Sequence, residues 1–342
     1  LGSTLSPSIF GPSSQTMPGR TTMAGYKPFS QVKRIAVLGT GTIGASWTAY
    51  FLARGYDVTA WDPAAGWEDR LRAFVDNARP QLESIGTRVG AEGSLTLADD
   101  PAAAVADADF VQENAPERAP IKLDLYRRID PTLPAETVVA TSTSGLILSD
   151  LQDGIGFAPR LVVGHPFNPP HLIPLVEIVM GKATDCAAAE WAHGFYGHIG
   201  KHAIYVNKEV PGHLANRLQA ALWREAVNAV EDGLASVEDV NAAIAKGPGL
   251  RLALMGPHMV FNLTGGKGGY EAMLEQFGPP MEGWWKDMQK TPTLTPELKA
   301  KLIAGIRDEM GDRTIDDLEA QRDERLIALL KMLKEKINKK EK

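Results

Sequence analysis

The sequence predicts an α/β protein with a doubly wound sheet, followed by an all-α C-terminal domain. Three observations carry this prediction. Short apolar runs, of the kind that form strands buried on both faces, alternate with helical stretches over the first 208 residues. A glycine-rich turn follows the first of these runs, "RIAVLG". After residue 208 the strand-like runs stop, and long amphipathic segments replace them.

Composition and charge narrow the class of protein. The chain has 342 residues, of which 44% are hydrophobic and 23% charged, which is typical of a globular protein with two or three domains. A net charge of −6 argues against a surface that binds nucleic acid. No apolar run reaches the roughly 20 residues that a membrane-spanning helix needs. The only cysteine, Cys186, excludes an internal disulfide and a cysteine-based zinc cluster, so we expect a reducing, cytoplasmic location and no metal.

The first 31 residues differ from the rest of the chain. They are rich in Ser, Thr, Pro and Gly and carry no acidic residue. Such a segment cannot bury enough apolar surface to fold. Its basic residues are only Arg20 and Lys27, fewer than an organelle transit peptide prefers. We therefore expect residues 1–31 to form a disordered leader.

A glycine-rich turn links the first predicted strand to a helix predicted over residues 43–54. Gly39, Gly41 and Gly44 give the pattern G-x-G-x-x-G. In this pattern the first glycine permits the tight turn, the second lets the backbone approach a pyrophosphate, and the third lets the helix pack closely on the strand. Because strand, turn, helix and next strand follow at the required spacing, the turn predicts a Rossmann-type dinucleotide-binding domain. An ordinary glycine-rich turn in an α/β sheet is the alternative.

The residues around this turn favour NAD as the dinucleotide. Thr42 and Ile43 lie at the N-terminus of the predicted helix, whose unpaired N–H groups and partial positive charge suit a pyrophosphate. The second strand, "DVTAWD", ends at Asp62. Its carboxylate would accept hydrogen bonds from the adenosine ribose and would repel the additional phosphate of NADP. We therefore expect NAD rather than NADP or FAD.

The remaining segments complete two domains. Strands and helices alternate to Lys208, and a helix over residues 66–86 is expected to be interrupted at Pro80. We assign residues 32–208 to an NAD-binding Rossmann domain and residues 209–342 to a helical domain for substrate binding and dimerisation. The first long helix of this second domain has an apolar face, formed by Leu214, Leu218, Leu222, Ala226 and Val230.

A histidine and a glutamate on neighbouring predicted strands are the first candidates for catalysis. His165 closes the strand "LVVGH", and Glu177 lies in the next strand, "LVEIV". A carboxylate beside an imidazole fixes its tautomer and stabilises the imidazolium, which makes the histidine a general base. Oxidation of an alcohol with NAD needs such a base, because the hydroxyl proton must leave as hydride moves to the nicotinamide. A hydrogen-bonded strand-end histidine and a satisfied core glutamate are the alternative.

From about Lys33 onward, the chain resembles the 3-hydroxyacyl-CoA dehydrogenase superfamily. The resemblance rests on "TSTSGL", "GHPFNP", "LVEIV" and "PGHLANRL", in that order and at the spacing of the family. It implies that His165 is the catalytic base and Glu177 its partner. It also implies that Ser144 hydrogen-bonds the reacting oxygen, that Asn216 positions substrate and base, and that the protein is a homodimer through its helical domain.

The same resemblance extends to the cofactor side of the site. Glu117 and Lys122, in "PERAPIK", match the glutamate and lysine that the family places near the nicotinamide ribose. Simpler roles remain as alternatives: a turn residue for Ser144, a polar helix start for Asn216, and a solvated charge for Lys122.

Two features argue against an acyl-CoA as substrate. The segment between Pro63 and Ala98 is short and carries four arginines against five acidic residues, which does not form a basic cradle for a nucleotide phosphate. The loop "GPGLRLALMGP" contains Arg251, which matches an arginine in the branch of the family that includes L-carnitine dehydrogenase and lambda-crystallin (L-gulonate 3-dehydrogenase). An arginine fork suits a free carboxylate, which it can bind through two hydrogen bonds. A surface salt bridge is the alternative.

The expected reaction is therefore the NAD-dependent oxidation of the 3-hydroxyl of a small free hydroxycarboxylic acid, with L-carnitine first. Carnitine also needs a site for its trimethylammonium group, normally an aromatic cage. His171 and Leu252 stand where relatives usually carry aromatic residues, so another small 3-hydroxy acid stays open, as do L-gulonate, a 3-hydroxyacyl-CoA and a non-enzymatic NAD-binding structural role. Aromatic residues in a helical domain are more often core residues, and the candidates for the cage are Phe261, Tyr270, Phe277, Trp284 and Trp285.

Overall fold

The computed structural model describes residues 25–88 and 90–338, with side chains to residue 334. The strands are β1 (Arg34–Leu38), β2 (Asp57–Trp61), β3 (Leu95–Leu97), β4 (Phe110–Glu113), β5 (Val138–Thr141), β6 (Leu161–Pro166), β7 (Leu175–Met180) and β8 (His202–Val206). The helices are α1 (Thr42–Ala53), α2 (Trp67–Ser84), α3 (Pro101–Val105), α4 (Ala119–Ile129), α5 (Cys186–His198), α6 (Ala215–Glu231), α7 (Val237–Ala245), α8 (Pro248–Thr264), α9 (Gly269–Asp287), α10 (Pro296–Met310) and α11 (Ile315–Asn338).

The described chain divides into two compact units. The first contains the described residues up to Asn216 and those from Ala320 onward, and the second is Arg217–Glu319. All eight strands lie in the first unit and form one sheet in the order β3-β2-β1-β4-β5-β6-β7-β8. The second unit contains helices and no strand in the part of the chain that the structure describes. The predicted fold class, a doubly wound sheet followed by an all-α part, is confirmed.

The sheet is parallel from β3 to β6 and then reverses direction. β7 pairs with β6 antiparallel, and β8 runs parallel to β7. The buried strands explain the continuous apolar runs of the sequence. In β1, Ile35 and Val37 face one hydrophobic core while Ala36 and Leu38 face the other, because successive side chains of a strand point to opposite faces.

α2 does not stop at Pro80. The helix continues to Ser84 with Pro80 inside it, so the predicted interruption is wrong. A proline inside a helix lacks one backbone hydrogen bond and costs about 3 kcal/mol. Burial of one apolar face of α2, which includes Leu71, Val75 and Leu82, offsets that cost.

The described segments before β1 and at the end of α11 both pack within the first unit. Residues 1–24 of the predicted leader lie outside the described part, but Phe29 stacks edge-on against Trp191 at 5.7 Å between ring centroids. The Trp191 indole N–H donates to the carbonyl of Lys27 at 2.7 Å. At the other end, Leu330 of α11 packs with Ile85 and Leu172, and this apolar contact draws Ala320 and the following residues to the first unit rather than to the second.

Hydrogen bonds from buried side chains fix the turn between β6 and β7, which contains a cis Asn168–Pro169 bond. The His171 Nε2–H donates to Oε1 of Gln81 at 2.7 Å, and its Nδ1 accepts from the Ser46 hydroxyl at 2.7 Å. Lys201 donates to the carbonyls of Pro170 and, at 3.2 Å, of Ile173. His171 is therefore a buried structural residue that ties this turn to α1 and α2.

This arrangement predicts a pH-dependent contribution of His171 to stability. Burial and the nearby Lys201 charge lower the pKa of His171 from 6.5 to about 4. Between pH 6.5 and about pH 4, His171 takes up a proton in the unfolded chain but stays neutral in the folded protein. Its contribution to the free energy of unfolding is therefore fully present above about pH 6.5 and is lost as the pH falls toward 4. The loss due to this residue amounts to about 3 kcal/mol in the free energy of unfolding. In urea titrations, the free energy of unfolding of His171→Gln should fall less steeply with decreasing pH over this range than that of the wild type. An equal fall in both proteins would contradict the assignment.

Candidate active site

The glycine-rich turn lies between β1 and α1, at the carboxyl edge of the sheet. Gly39 has φ +83°, a left-handed conformation that favours glycine, and its N–H donates to Trp61 O at 2.8 Å. A Cβ on Gly44 would lie 1.8 Å from the Gly39 carbonyl oxygen, so only glycine fits there. A Cβ on Gly41 would meet no protein atom within 4 Å. The space beside Gly41 is therefore open to a ligand that approaches the backbone.

Asp62 stands beside this turn. It follows the last residue of β2, and its Oδ2 accepts the Thr40 N–H at 2.7 Å while Oδ1 accepts the Ala64 N–H at 2.8 Å. Thr42 and Ile43 are the first two residues of α1, with their N–H groups at the helix N-terminus. The turn, the helix start and the acid thus occur in the arrangement that a pyrophosphate and a ribose require, so these residues fit an NAD.

His165 and Glu177 are directly opposite each other on β6 and β7. Nδ1 of His165 lies 2.8 Å from Oε2 of Glu177, and both side chains are buried. Burial alone would raise the pKa of Glu177, but the hydrogen bond from His165 and the backbone N–H groups of Ala215 and Leu214 outweigh it and lower that pKa. Glu177 is consequently a carboxylate at neutral pH, which places the histidine proton on Nδ1.

The second oxygen of Glu177 accepts two backbone hydrogen bonds. Oε1 receives the N–H of Leu214 at 3.0 Å and that of Ala215, the first residue of α6, at 2.8 Å. A carboxylate is stabilised there by the N–H groups and the positive end of the helix dipole. Asn216 is the next residue of α6 and is half-buried. The sequence showed the motif "PGHLANRL" but not this contact, because it depends on the conformation of the turn before α6.

Glu117 fixes the loop that carries Ser144. Its Oε1 accepts the Thr143 hydroxyl at 2.7 Å and the backbone N–H groups of Ser144 and Gly145, each at 2.8 Å. Partial burial would raise the pKa of Glu117, but these hydrogen bonds and the charge of Lys122 lower it. Glu117 is therefore a carboxylate bound to the loop after β5, and the hydroxyl of Ser144 is exposed on that loop.

Lys122 is buried, so the alternative of a solvated charge is wrong. Its ammonium lies 2.8 and 3.0 Å from the two carboxylate oxygens of Glu113, the last residue of β4, and it also donates to Ala115 O at 3.0 Å. The Tyr126 hydroxyl donates to the same carboxylate at 2.8 Å. Sequence reasoning missed Glu113, and its only signal was an acid at the end of the short strand "FVQE".

The second unit carries the remaining predicted residues. Arg251 lies in α8, is exposed, and lines a groove of about 230 Å³ with apolar neighbours that include Leu254 and Val260. Of the aromatic residues proposed for a cage, Tyr270 hydrogen-bonds His258 Nδ1 through its hydroxyl at 2.9 Å. The indoles of Trp284 and Trp285 are 58% and 64% exposed, so they are not core residues of this unit. Phe261 and Phe277 are half-buried.

The described residues contain neither a cluster suited to a metal ion nor a helix that could span a membrane. Over residues 25–88 and 90–338, no three acidic, histidine or cysteine side chains converge as a metal site would require. Within the same ranges, no helix combines the length and the apolar character needed to cross a membrane.

Comparison with known proteins gives consistent matches over both units. A family profile described as "3-hydroxyacyl-CoA dehydrogenase, NAD binding domain" matches residues 34–210, and "3-hydroxyacyl-CoA dehydrogenase, C-terminal domain" matches residues 212–304. L-carnitine dehydrogenase of Streptomyces griseus is 50% identical over 301 residues, which cover 88% of this chain and 90% of that protein. L-carnitine dehydrogenase of Nocardiopsis dassonvillei is 47% identical over 305 residues, covering 89% and 92% of the two chains.

A solved structure agrees with these matches. The crystal structure of 5-formyl-3-hydroxy-2-methylpyridine 4-carboxylic acid 5-dehydrogenase, an NAD+-dependent dismutase, superimposes with a TM-score of 0.77 at 29% sequence identity. The match covers 89% of this chain and 99% of the other. The likeness therefore extends over the sheet and the helical part of the chain.

The buried Lys122–Glu113 pair predicts a strong effect on stability. Lys122→Met leaves an unpaired carboxylate in the core and should lower the free energy of unfolding by about 3–5 kcal/mol. Glu113→Gln combined with Lys122→Met should recover part of the loss, because no buried charge is left unpaired. Arg88→Met, at an exposed pair with Glu83, is the control and should cost at most about 1 kcal/mol. Urea denaturation measures all four proteins; a similar small loss in both single variants would refute a structural role for Lys122.

Proposed function

The chain belongs to the 3-hydroxyacyl-CoA dehydrogenase family and is an NAD-dependent dehydrogenase, and from this premise we propose L-carnitine as its substrate, oxidised at the 3-hydroxyl to 3-dehydrocarnitine. The relatives named L-carnitine dehydrogenase support this proposal, since they are up to 50% identical over nine-tenths of the chain. The observation that carries the chemistry is the buried His165–Glu177 pair. Such a pair is a general base suited to an alcohol proton.

We assign the proton transfer to Nε2 of His165. Because Nδ1–H is bound to Glu177 at 2.8 Å, Nε2 carries the lone pair that accepts the hydroxyl proton of the substrate. The imidazolium that forms is stabilised by the carboxylate of Glu177, which is held ionised by His165 and by the α6 N-terminus. NAD held at the glycine-rich turn would supply the acceptor for the hydride of C3. The positive charge on His165 lasts until its proton leaves to solvent.

We assign the orientation of the substrate hydroxyl to Ser144 and Asn216. Ser144 lies on a loop whose backbone N–H groups are held by Glu117, and Asn216 follows the residue that is bound to Glu177. Both positions are thus anchored to rigid carboxylates, as a positioning group requires. On the cofactor side, Glu117 would lie near the nicotinamide ribose. Lys122 would act there through its electrostatic effect on Glu117, because its own ammonium is bound to Glu113.

The NAD-binding residues follow from the turn between β1 and α1. Gly39, Gly41, Gly44 and the N–H groups of Thr42 and Ile43 would hold the pyrophosphate. Asp62 would accept hydrogen bonds from the adenosine ribose and exclude NADP.

We assign recognition of the substrate to the second unit. Arg251 would bind the carboxylate through two hydrogen bonds, and its exposure leaves the guanidinium accessible to a ligand. The exposed indoles of Trp284 and Trp285 supply aromatic faces that attract a quaternary ammonium.

We further propose a cytoplasmic homodimer formed through the helical unit. That unit exposes large apolar side chains that a monomer would leave in water, among them Leu218, Leu222 and Trp223 at 57%, 47% and 56% exposure. Exposed apolar surface of this kind marks an interface. A reducing location agrees with the single cysteine, Cys186. Light scattering at micromolar concentration tests the dimer.

The reaction is tested by NADH formation at 340 nm with L-carnitine, L-gulonate, L-3-hydroxybutyrate and 3-hydroxybutyryl-CoA, each with NAD and with NADP. We expect turnover of L-carnitine with NAD. His165→Ala should lower kcat by at least about 100-fold, because a general base contributes this much, while NADH binding is kept. Turnover of the thioester alone would overturn the free-acid substrate, and full turnover by His165→Ala would overturn the base.

The role proposed for Arg251 predicts that its substitution weakens substrate binding. Arg251→Ala should raise KM for L-carnitine about 10- to 100-fold, as expected for the loss of charge-assisted hydrogen bonds, with a smaller effect on kcat. Arg251→Lys should retain part of the affinity because it keeps the charge but loses the fork. Arg313→Ala, at an exposed arginine of the same unit, is the control. Equal KM values for all four proteins would show that Arg251 does not bind the carboxylate.

A further inference from the structure

A second buried histidine lies beside His165. His213 is 3% exposed, and its ring centroid is 5.2 Å from that of His165. It ends a tight turn in which its N–H donates to Val210 O at 3.1 Å and Gly212 has φ +78°. His213 belongs to none of the steps assigned above.

His213 lies between the Ser144 loop and the His165–Glu177 pair and is bonded to the first and linked to the second. Its Nε2 lies 2.9 Å from the carbonyl oxygen of Thr143, so this nitrogen carries the proton and donates it. Thr143 precedes Ser144 on the loop that Glu117 holds. On the other side, the two residues after His213 donate their backbone N–H groups to Glu177. One residue thus connects the Ser144 loop, through its side chain, with the His165–Glu177 pair, through its backbone.

Two features of His213 oppose folding rather than favour it. It is the only non-glycine residue with positive φ, at 49°, in the part of the chain that the structure describes. This left-handed conformation is unfavourable for a residue with a Cβ. Its buried Nδ1 also has no hydrogen-bond partner among the described residues, and an unsatisfied buried acceptor is unfavourable as well. An apolar side chain would fill the same space without this second cost, so packing alone does not account for a histidine.

The charge state of His213 suits a place beside the base. Burial lowers its pKa, the hydrogen bond to Thr143 opposes this, and the nearby His165 lowers it further; the net direction is downward. His213 is accordingly neutral at neutral pH. It keeps its proton on Nε2 for Thr143 and adds no second positive charge beside His165 when that residue accepts the substrate proton.

We propose that His213 is a positioning residue that sets the distance between the Ser144 hydroxyl and His165, by bonding the Thr143 carbonyl while its backbone turn directs Leu214 and Ala215 to Glu177. The inference rests on the proposed function, because it takes Ser144 and His165 as the groups that contact the reacting hydroxyl. His213 itself acts through these neighbours and not on the substrate.

Three substitutions separate the hydrogen bond from the fold of the turn. His213→Leu fills the space and removes the donor. His213→Gln keeps an N–H donor near the position of Nε2 and can restore the bond to Thr143. His213→Asn tolerates positive φ but is too short to reach the carbonyl, so it replaces His213→Leu if the leucine variant does not fold.

The kinetic arm uses L-carnitine and NAD with the full-length protein. We expect His213→Leu and His213→Asn to lower kcat at least tenfold, with KM for NAD and the Kd for NADH within twofold of wild type. His213→Gln should recover kcat to within about threefold. In a Ser144→Ala background, His213→Leu should cost less than threefold, since its effect passes through Ser144. Equal losses in both backgrounds, or no recovery by glutamine, would overturn the proposal.

The second arm does not depend on the substrate. Hydrogen exchange followed by mass spectrometry should show faster exchange of the amides of Ser144, Gly145 and Leu146 in His213→Leu, with recovery in His213→Gln. The amides of β5 serve as the control and should not change. Unchanged exchange at the loop would overturn the proposal even if the enzyme is active. If the wild type oxidises no hydroxy acid, the proposed function fails while this arm still decides whether His213 holds the loop.

Discussion

The site depends above all on the carboxylate of Glu177. One oxygen binds His165 and the other binds two N–H groups at the start of α6, so a single buried charge orients His165 and anchors the helix that carries Asn216. A buried carboxylate without such partners would take up a proton. Here the partners outweigh the burial and keep the charge. The same charge that orients His165 therefore also fixes where α6 begins.

The order of strands explains why the other predicted groups lie at the same edge of the sheet as this pair. In a parallel sheet the carboxyl ends of the strands meet at one edge, and β1, β2, β4, β5 and β6 all end there. The glycine turn follows β1, Asp62 follows β2, and the Ser144 loop follows β5. The reversal at β7 places Glu177 opposite His165. Without this one antiparallel strand, His165 would have no carboxylate in register.

The sequence predicted the features that depend on the periodicity of apolar residues and on paired strands. It did not predict the contacts that depend on the conformation of turns. Apolar runs and the glycine spacing determine the sheet and the turn at Gly39, and two strands joined by a short turn suffice to pair His165 with Glu177. The contacts of Glu117 are with backbone N–H groups of a distant loop, and side-chain patterns do not encode them. The burial of Lys122 escaped prediction for a related reason, because its partner Glu113 lies on another element. α2 continues past Pro80 because tertiary packing overrides a local preference.

The residues to which we assign the chemistry and those to which we assign substrate recognition lie in different units. The first unit holds every residue to which we assign proton transfer or NAD binding, and on this assignment these residues would act on a secondary alcohol whatever it is attached to. The second unit holds Arg251 and the exposed tryptophans, to which we assign recognition of the substrate. A charge-assisted hydrogen bond contributes about 1.5–3 kcal/mol, or about 10- to 100-fold in affinity. On this assignment, a substitution at Arg251 of α8 would change the preference between a free acid and a thioester without any change to the His165–Glu177 pair.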